Sequence, residues 1–281
     1  MQRQFWVETL GCPKNQVDSE KLVGTLVADG MARAGRPEDA DVVVINTCAF
    51  IEQARQESID TILSFDEVRK GGSKLVVTGC MAERYGDELA ESIPEIDQVA
   101  GFGVPVTLGR RGSSKFDLLE LPRPRATAPW AYVKVAEGCD RNCGFCAIPS
   151  FRGKQRSRTV ASILGEIDQL GAREIVLVAQ DLASFGRDQG QGQRRIVELV
   201  EQAATRADWV RLLYLYPSDL TDELIDTIIA HGVPYFDLSL QHVSRSLLRR
   251  MRRWGEGQIF LDRIAAKPST CGPPCIALAG M

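Results

Sequence analysis

Between residues 4 and 93 the sequence alternates three times between a short run rich in β-branched residues and a longer run of helical period. "QFWVETLG" reads as a strand, and "VDSEKLVGTLVADG" as an amphipathic helix capped by Asp18 or Ser19 and stopped by Gly30. "DVVVINTC" is apolar throughout, as a strand covered on both faces is. The helix "IEQARQESIDTILSFDEVRKG", with Gly71 as its stop, the strand "SKLVVTGC" and the helix "RYGDELAESI" follow. Such a βαβαβα series is confined to a parallel sheet with right-handed crossovers.

Residues 102–129, rich in Gly, Pro, Ser and Arg, read as a linker. Beyond it a second alternating series begins, with strands at 130–138, 174–181, 210–217 and 235–242. Helical segments fall at 159–170, 192–206 and 219–231, and "SRSLLRRMRRW" follows the fourth strand. Four βα units make half of a (β/α)8 barrel, or most of a six-unit partial one. The expected fold is therefore α/β: an N-terminal parallel-sheet domain (1–101), the linker, an incomplete partial barrel (130–266), and an irregular tail (267–281). The tail, "KPSTCGPPCIALAGM", has no periodicity and looks like a chain cut short or read out of frame. An unfinished barrel leaves a strand edge and part of its apolar lining uncovered.

Composition narrows the function classes. A length of 281 residues suits two domains, and 44% hydrophobic with 25% charged residues is ordinary for a globular protein. A net charge of -3 does not support a broad nucleic-acid-binding surface. No apolar run reaches membrane-spanning length, and the start lacks a basic-then-apolar signal pattern, which points to the cytoplasm. Thiols stay reduced there, so the eight cysteines read better as metal ligands or catalytic groups than as disulfides.

Six of them form two sets of three. Cys139, Cys143 and Cys146 make C-x3-C-x2-C directly after a strand, with Gly138 and Gly144 easing the backbone around a tight loop. Thiolates at this spacing hold three irons of a cubane cluster and leave the fourth open to a small molecule. A structural zinc site is the rival reading, but such sites are closed by four protein ligands. The chain's two histidines, His231 and His242, are far away in sequence. Cys12, Cys48 and Cys80 lie 36 and 32 residues apart, each at the C-terminal end of a strand. In an open parallel sheet, ligands bind outside those ends, where the following helix N-termini favour an anionic group. The alternative is three unrelated buried cysteines. Cys271 and Cys275 fit neither set.

The first loop, "EGCDRNCGFCAIP", resembles the cluster motif of the radical S-adenosylmethionine (SAM) enzymes, which favour an aromatic residue before the last cysteine, here Phe145. Two trios in this order, with "ETLGCPKNQVDSE", "NTCAFIEQARQES", "VTGCMAERYGDEL", "VAQDLASFG", "LYLYPSDL" and "LSLQHVSRSLLRRMRRWG", resemble the methylthiotransferase branch of that superfamily as far as about residue 266. "GCPKN" and "CAIPSFRGKQRSR" resemble the members that methylthiolate an aspartate β-carbon of ribosomal protein S-12; the tRNA-modifying relatives more often read "GCQMN" and "VVPYTRG".

The resemblance implies two 4Fe-4S clusters: Cys139, Cys143 and Cys146 hold the one that binds SAM, and Cys12, Cys48 and Cys80 the auxiliary one that handles sulfur. It implies transferase activity, in which one SAM gives the methyl group and another the 5′-deoxyadenosyl radical. Flavodoxin or ferredoxin is the implied electron donor, and tRNA the alternative substrate. A cluster-binding chain without catalysis is a further alternative. Gln180 and Asp181 at one strand end, and Gln241 and His242 at another, lie where barrel sites form, and suit hydrogen bonds to SAM as well as they suit ordinary strand ends. Arg156 and Arg158 suit the SAM carboxylate or a solvated basic loop, and "RRMRRW" suits ribosomal RNA or a solvated helix face. The resemblance implies that full members continue with further barrel strands and a small TRAM domain, neither of which is expected within these 281 residues.

Overall fold

The computed structural model describes residues 2–104, 106, 117–190, 192–266 and, as backbone, 275–278. It divides into two units, Met1–Pro124 with Ser150–Arg152, and Arg125–Pro149 with Gly153–Met281.

In the first unit the chain runs β1 (Gln4–Thr9), α1 (Pro13–Ala28), β2 (Ala32–Arg33), β3 (Val42–Thr47), α2 (Glu52–Val68), β4 (Lys74–Gly79), α3 (Cys80–Ser92) and β5 (Gln98–Ala100). The strands form one parallel sheet in the order β2-β1-β3-β4-β5. β3 is central and buried along its whole length, which is why its sequence does not alternate. Val42 and Val44 pack on one face with Phe5, Leu22 and Leu26, while Val43 and Ile45 pack on the other with Ile62, Leu75 and Leu89. Each such side chain contributes about 1.5–3 kcal/mol by leaving water.

Two helix starts differ from expectation. α1 begins at Pro13, with Cys12 as its N-cap, so Asp18 and Ser19 are not caps but buried residues inside it. Proline's fixed φ suits the first helical position, and Ser19 is instead occupied by bonds from Asn46 (2.9 Å) and Thr9 (2.7 Å) at the strand ends. α3 begins at Cys80 itself, four residues before the expected start at Arg84, and is broken at Gly86. α2 stops at Val68, short of Gly71. The expected linker is not extended throughout: Leu119 and Arg123 are buried, and Arg123 pairs with Glu20 of α1 at 2.8 Å. Residues 107–116 of it lie outside the described residues.

In the second unit, β6 (Trp130–Lys134), β7 (Ala136–Glu137), α4 (Ile148–Arg152), β8 (Arg156–Ser157), α5 (Val160–Leu170), β9 (Glu174–Val178), α6 (Ile196–Ala203), β10 (Trp209–Leu212), α7 (Asp222–His231), β11 (Tyr235–Leu238), α8 (Arg245–Arg250), α9 (Gly257–Ala265) and β12 (Cys275–Leu278) follow. The last three residues of α4 group with the first unit. β6, β9 and β10 pair in parallel, and a parallel bridge from Leu215 to Leu238 carries the arc on to β11. α5 and α7 are capped by Thr159 and Thr221, whose hydroxyls accept from Ser162 and Leu224. The expected irregular tail contains a strand: β12 pairs in parallel with β11 and covers the edge expected to be open. The result is an α/β partial barrel. No helix among the described residues is long and apolar enough to cross a membrane.

Gly79 is where β4 must come closest to β3. Its φ is +91°, and an added Cβ would collide with the Asn46 side chain and lie 2.7 Å from the Thr47 nitrogen. Gly79→Ala is expected to lower the unfolding free energy by on the order of 3 kcal/mol, from the left-handed backbone and the clash together. Urea denaturation of the metal-free protein measures this, and an unchanged midpoint would contradict the close approach.

Candidate metal centres

The first unit draws its three strand-end cysteines together. Cys12 caps α1, Cys48 follows β3 directly, and Cys80 opens α3. Burial pushes the Cys48 thiol up, and the neighbouring Cys80 and Cys12 sulfurs add to the rise. Burial also raises Cys80, against the pull of Arg152. Cys12 behaves oppositely: burial opposes ionisation, but Lys14, Arg152 and the N–H groups of Asn15 and Lys14 hold its thiol below the ordinary value. A thiol at a helix N-terminus does this.

Asn15 ties the trio to the sheet. It is fully buried, and its Nδ2 donates to Leu10 O at 3.0 Å and Thr47 O at 2.9 Å. Its Oδ1 accepts from Arg152 at 2.9 Å and from the Cys80 thiol at 3.6 Å. Arg152, which groups with this unit, also donates to the Cys80 sulfur at 3.0 Å and pairs with Asp18 at 3.7 Å. Ser58 of α2 clamps the Cys48 backbone, accepting from its N–H at 3.1 Å and donating to its carbonyl at 2.9 Å. Periodicity singles out none of Asn15, Ser58 and Arg152; an asparagine three residues after a strand-end cysteine is the one available signal.

In the second unit, one loop carries all three cysteines. Gly138, with φ +76°, turns the chain so tightly that a Cβ would run into the Lys154 carbonyl, and Cys139 N–H donates to Gly153 O at 3.0 Å. Gly144 is not left-handed; its N–H ties the loop to Met251 O at 2.9 Å. Burial pushes the Cys139 thiol up to about 11 and raises Cys146 as well. Cys139 sulfur accepts from Arg141 N–H and Cys143 sulfur from Arg253, both at 3.4 Å. Arg141 stacks over Tyr216 at 3.9 Å and donates to Asp181 (2.6 Å), Ser184 (3.0 Å) and Asp219. Burial raises the Asp219 carboxyl, but Arg141, Ser184 and Arg194 together hold it below its usual value.

The other expected residues scatter. Phe145 is exposed beside Cys146. Gln180 donates to Glu137 at 2.8 Å, and Asp181 accepts from Arg141 and from Ser184 at 2.8 Å. Gln180 Oε1 and Asp181 Oδ1 are both buried without a partner, which fits a ligand bearing amino or hydroxyl groups. Arg156 is exposed, whereas Arg158 is buried and bonded to Glu166 at 2.5 Å. Gln241 is left-handed, with φ +68°, and exposed His242 accepts from Ser244 N–H at 2.8 Å. Arg253, one of four arginines in "RRMRRW", is buried rather than solvated.

No three His, Cys, Asp or Glu side chains among the described residues gather tightly enough for a single metal ion. A cubane presents its irons at separate corners and asks only that thiolates surround a common space. All six cysteines are free, and each trio is mutually coupled, so the donor chemistry fits a cluster.

Residues 4–101 match the family described as uncharacterized protein family UPF0004, and residues 133–266 match the radical SAM superfamily. The ribosomal protein uS12 methylthiotransferase RimO of Cutibacterium acnes is 38% identical over 94% of this chain and 67% of its own length. The chain belongs to the RimO family. The RimO proteins of Sorangium cellulosum (41% identical, 94% of this chain) and Solibacter usitatus (42%, 91%) agree; the chain spans 59% and 60% of their lengths. Among solved structures, the cobalamin-dependent SAM radical enzyme OxsB shares the fold, with a TM-score of 0.63 over 99% of this chain and 49% of that one, at 11% identity.

Cys12 and Cys139 differ in acidity, and metal-free protein reveals it. Iodoacetamide at about pH 8 is expected to modify Cys12 before Cys139, with Cys139 gaining reactivity only as the pH rises toward its raised value. Peptide mass spectrometry against pH measures the order. Cys139 labelled ahead of Cys12 would contradict it.

Proposed function

We propose that the chain is the cluster-bearing part of a RimO-type methylthiotransferase acting on an aspartate of ribosomal protein uS12. Cys139, Cys143 and Cys146 hold a 4Fe-4S cluster whose remaining iron takes SAM, and Cys12, Cys48 and Cys80 hold a second, auxiliary cluster. The observation that carries this is the convergence of each trio, three cysteines from the ends of separate βα units and three from one loop. When bound, these groups supply the electron that cleaves SAM to a 5′-deoxyadenosyl radical and the sulfur that is inserted.

The chain's own residues shape that chemistry. Asn15 and Ser58 fix the strand ends so that the first three thiols face one space. Arg141, anchored by Asp181 and Asp219, holds the second loop and offers its N–H to Cys139. Gln180 Oε1 and Asp181 Oδ1, buried without a partner, would accept from SAM, with Phe145 exposed next to the last cysteine. Gln241, His242 and Arg156 are further candidates for cofactor contact; Arg158, spent on Glu166, is the weakest. This reading puts the protein in the reducing cytoplasm, with a flavodoxin or ferredoxin as reductant.

Anaerobic reconstitution followed by iron and sulfide analysis tests the site. Replacing either trio with alanine should remove roughly half of the iron of the unaltered chain, and replacing the second trio should also abolish 5′-deoxyadenosine release. Mass spectrometry of uS12 and tRNA after turnover tests the substrate, with the added methylthio mass expected on uS12. An iron-poor chain, or tRNA alone gaining the mass, overturns the respective half of the proposal.

A further inference from the structure

Arg253 is buried, at 6% exposure, and among the described residues it has no carboxylate partner. Its guanidinium donates to the Cys143 sulfur at 3.4 Å and to the Ser239 carbonyl, and lies 4.1 Å from the Tyr216 ring centre. Arg141 stands over the same ring, yet its charge is met by Asp181 and Asp219. At the first trio, Arg152 likewise donates to a cysteine sulfur but is offset by Asp18. Arg253 alone of these three keeps its charge uncancelled by a carboxylate.

The backbone shows how it gets there. α8 ends in a turn where Arg252 takes a left-handed φ of +55°, and the Arg253 N–H reaches back to Leu248 O at 2.8 Å. Glycine is the usual residue at such a position, so an arginine there is strained. The same turn accepts Gly144 N–H of the cysteine loop through Met251 O. Loop and turn are thus bonded twice, once by backbone and once through sulfur.

A buried cation without a counter-charge is expensive unless an anion neighbours it. Resting on the reading that Cys139, Cys143 and Cys146 carry a cluster, we infer that Arg253 is a positioning residue that sets that cluster's reduction potential. Hydrogen bonds to cluster sulfurs and local net charge are the protein's means of moving such potentials. Gaining an electron adds one negative charge beside the guanidinium, so Arg253 stabilises the reduced form and raises the potential.

The test is an EPR-monitored redox titration of the reconstituted full chain, following the signal that changes when SAM is added. For Arg253→Met, the ratio of reduced to oxidised cluster at the unaltered protein's midpoint should fall about tenfold, equal to about 59 mV for a one-electron couple. Arg253→Lys, which keeps the charge, should recover most of that loss. An unchanged potential in Arg253→Met, with iron content intact, overturns the inference and leaves the cluster reading standing. So does a lysine variant no different from methionine, or loss of the cluster from both variants, since either assigns Arg253 to loop shape. If alanine substitution of the trio removes no iron from the unaltered chain, the cluster reading itself fails.

Discussion

Everything at the first trio depends on one buried amide. Asn15 joins the end of β1, the end of β3 and the opening residue of α3 through hydrogen bonds that water cannot replace, because the side chain is fully enclosed. Parallel strands contribute no ladder bonds beyond their ends, so the carbonyls of Leu10 and Thr47 need a donor. Each buried group left unmet costs about 1–3 kcal/mol. Asn46, two residues before Cys48, repeats the device by donating to the Asn15 carbonyl and to Ser19. The thiols inherit their positions from this polar layer.

The second trio is built on a different economy. Its three cysteines lie within eight consecutive positions, so little chain closure separates them, and the loop is shaped locally by Gly138 and by bonds to Gly153 and Met251. What it lacks in tertiary spacing it gains in charge. Arg141, Arg194, Asp181, Asp219 and Ser184 form one connected network at the ends of the strands, and Tyr216 provides a flat surface for two guanidiniums. Cation–π contacts of this kind strengthen as water is excluded.

Much of this was legible in the sequence, for identifiable reasons. Central strands such as β3 are covered on both faces and cannot alternate, so their apolar runs stand out, and the cysteines that follow them mark strand ends. Short elements were invisible: β2, β5 and β12 have two to four residues each, and β12 exists only by pairing with β11. Asp18 and Ser19 carry capping chemistry, yet Pro13 had already fixed the helix start one turn earlier. Arg253 was hidden for a different reason. Nothing in "RRMRRW" distinguishes it from its solvated neighbours, because its burial follows from the left-handed Arg252, a backbone choice that side-chain pattern does not encode.

Proton accounting links the two sites to what they are built to hold. Cys48, Cys80, Cys139 and Cys146 all keep their protons above the usual pH because burial disfavours the thiolate. A metal group must therefore displace those protons, and its binding grows stronger with pH. Cys12 is the exception, already biased to the thiolate by a helix N-terminus and two cations. On the proposed cluster reading it would be the first thiol of its trio to ligate, the others ionising as positive metal arrived. In the second loop Arg253 pulls the Cys146 thiol down, but burial outweighs it and the thiol stays above its ordinary value. A helix end and two cations outweigh burial at Cys12, whereas in the second loop burial prevails at Cys139 and Cys146.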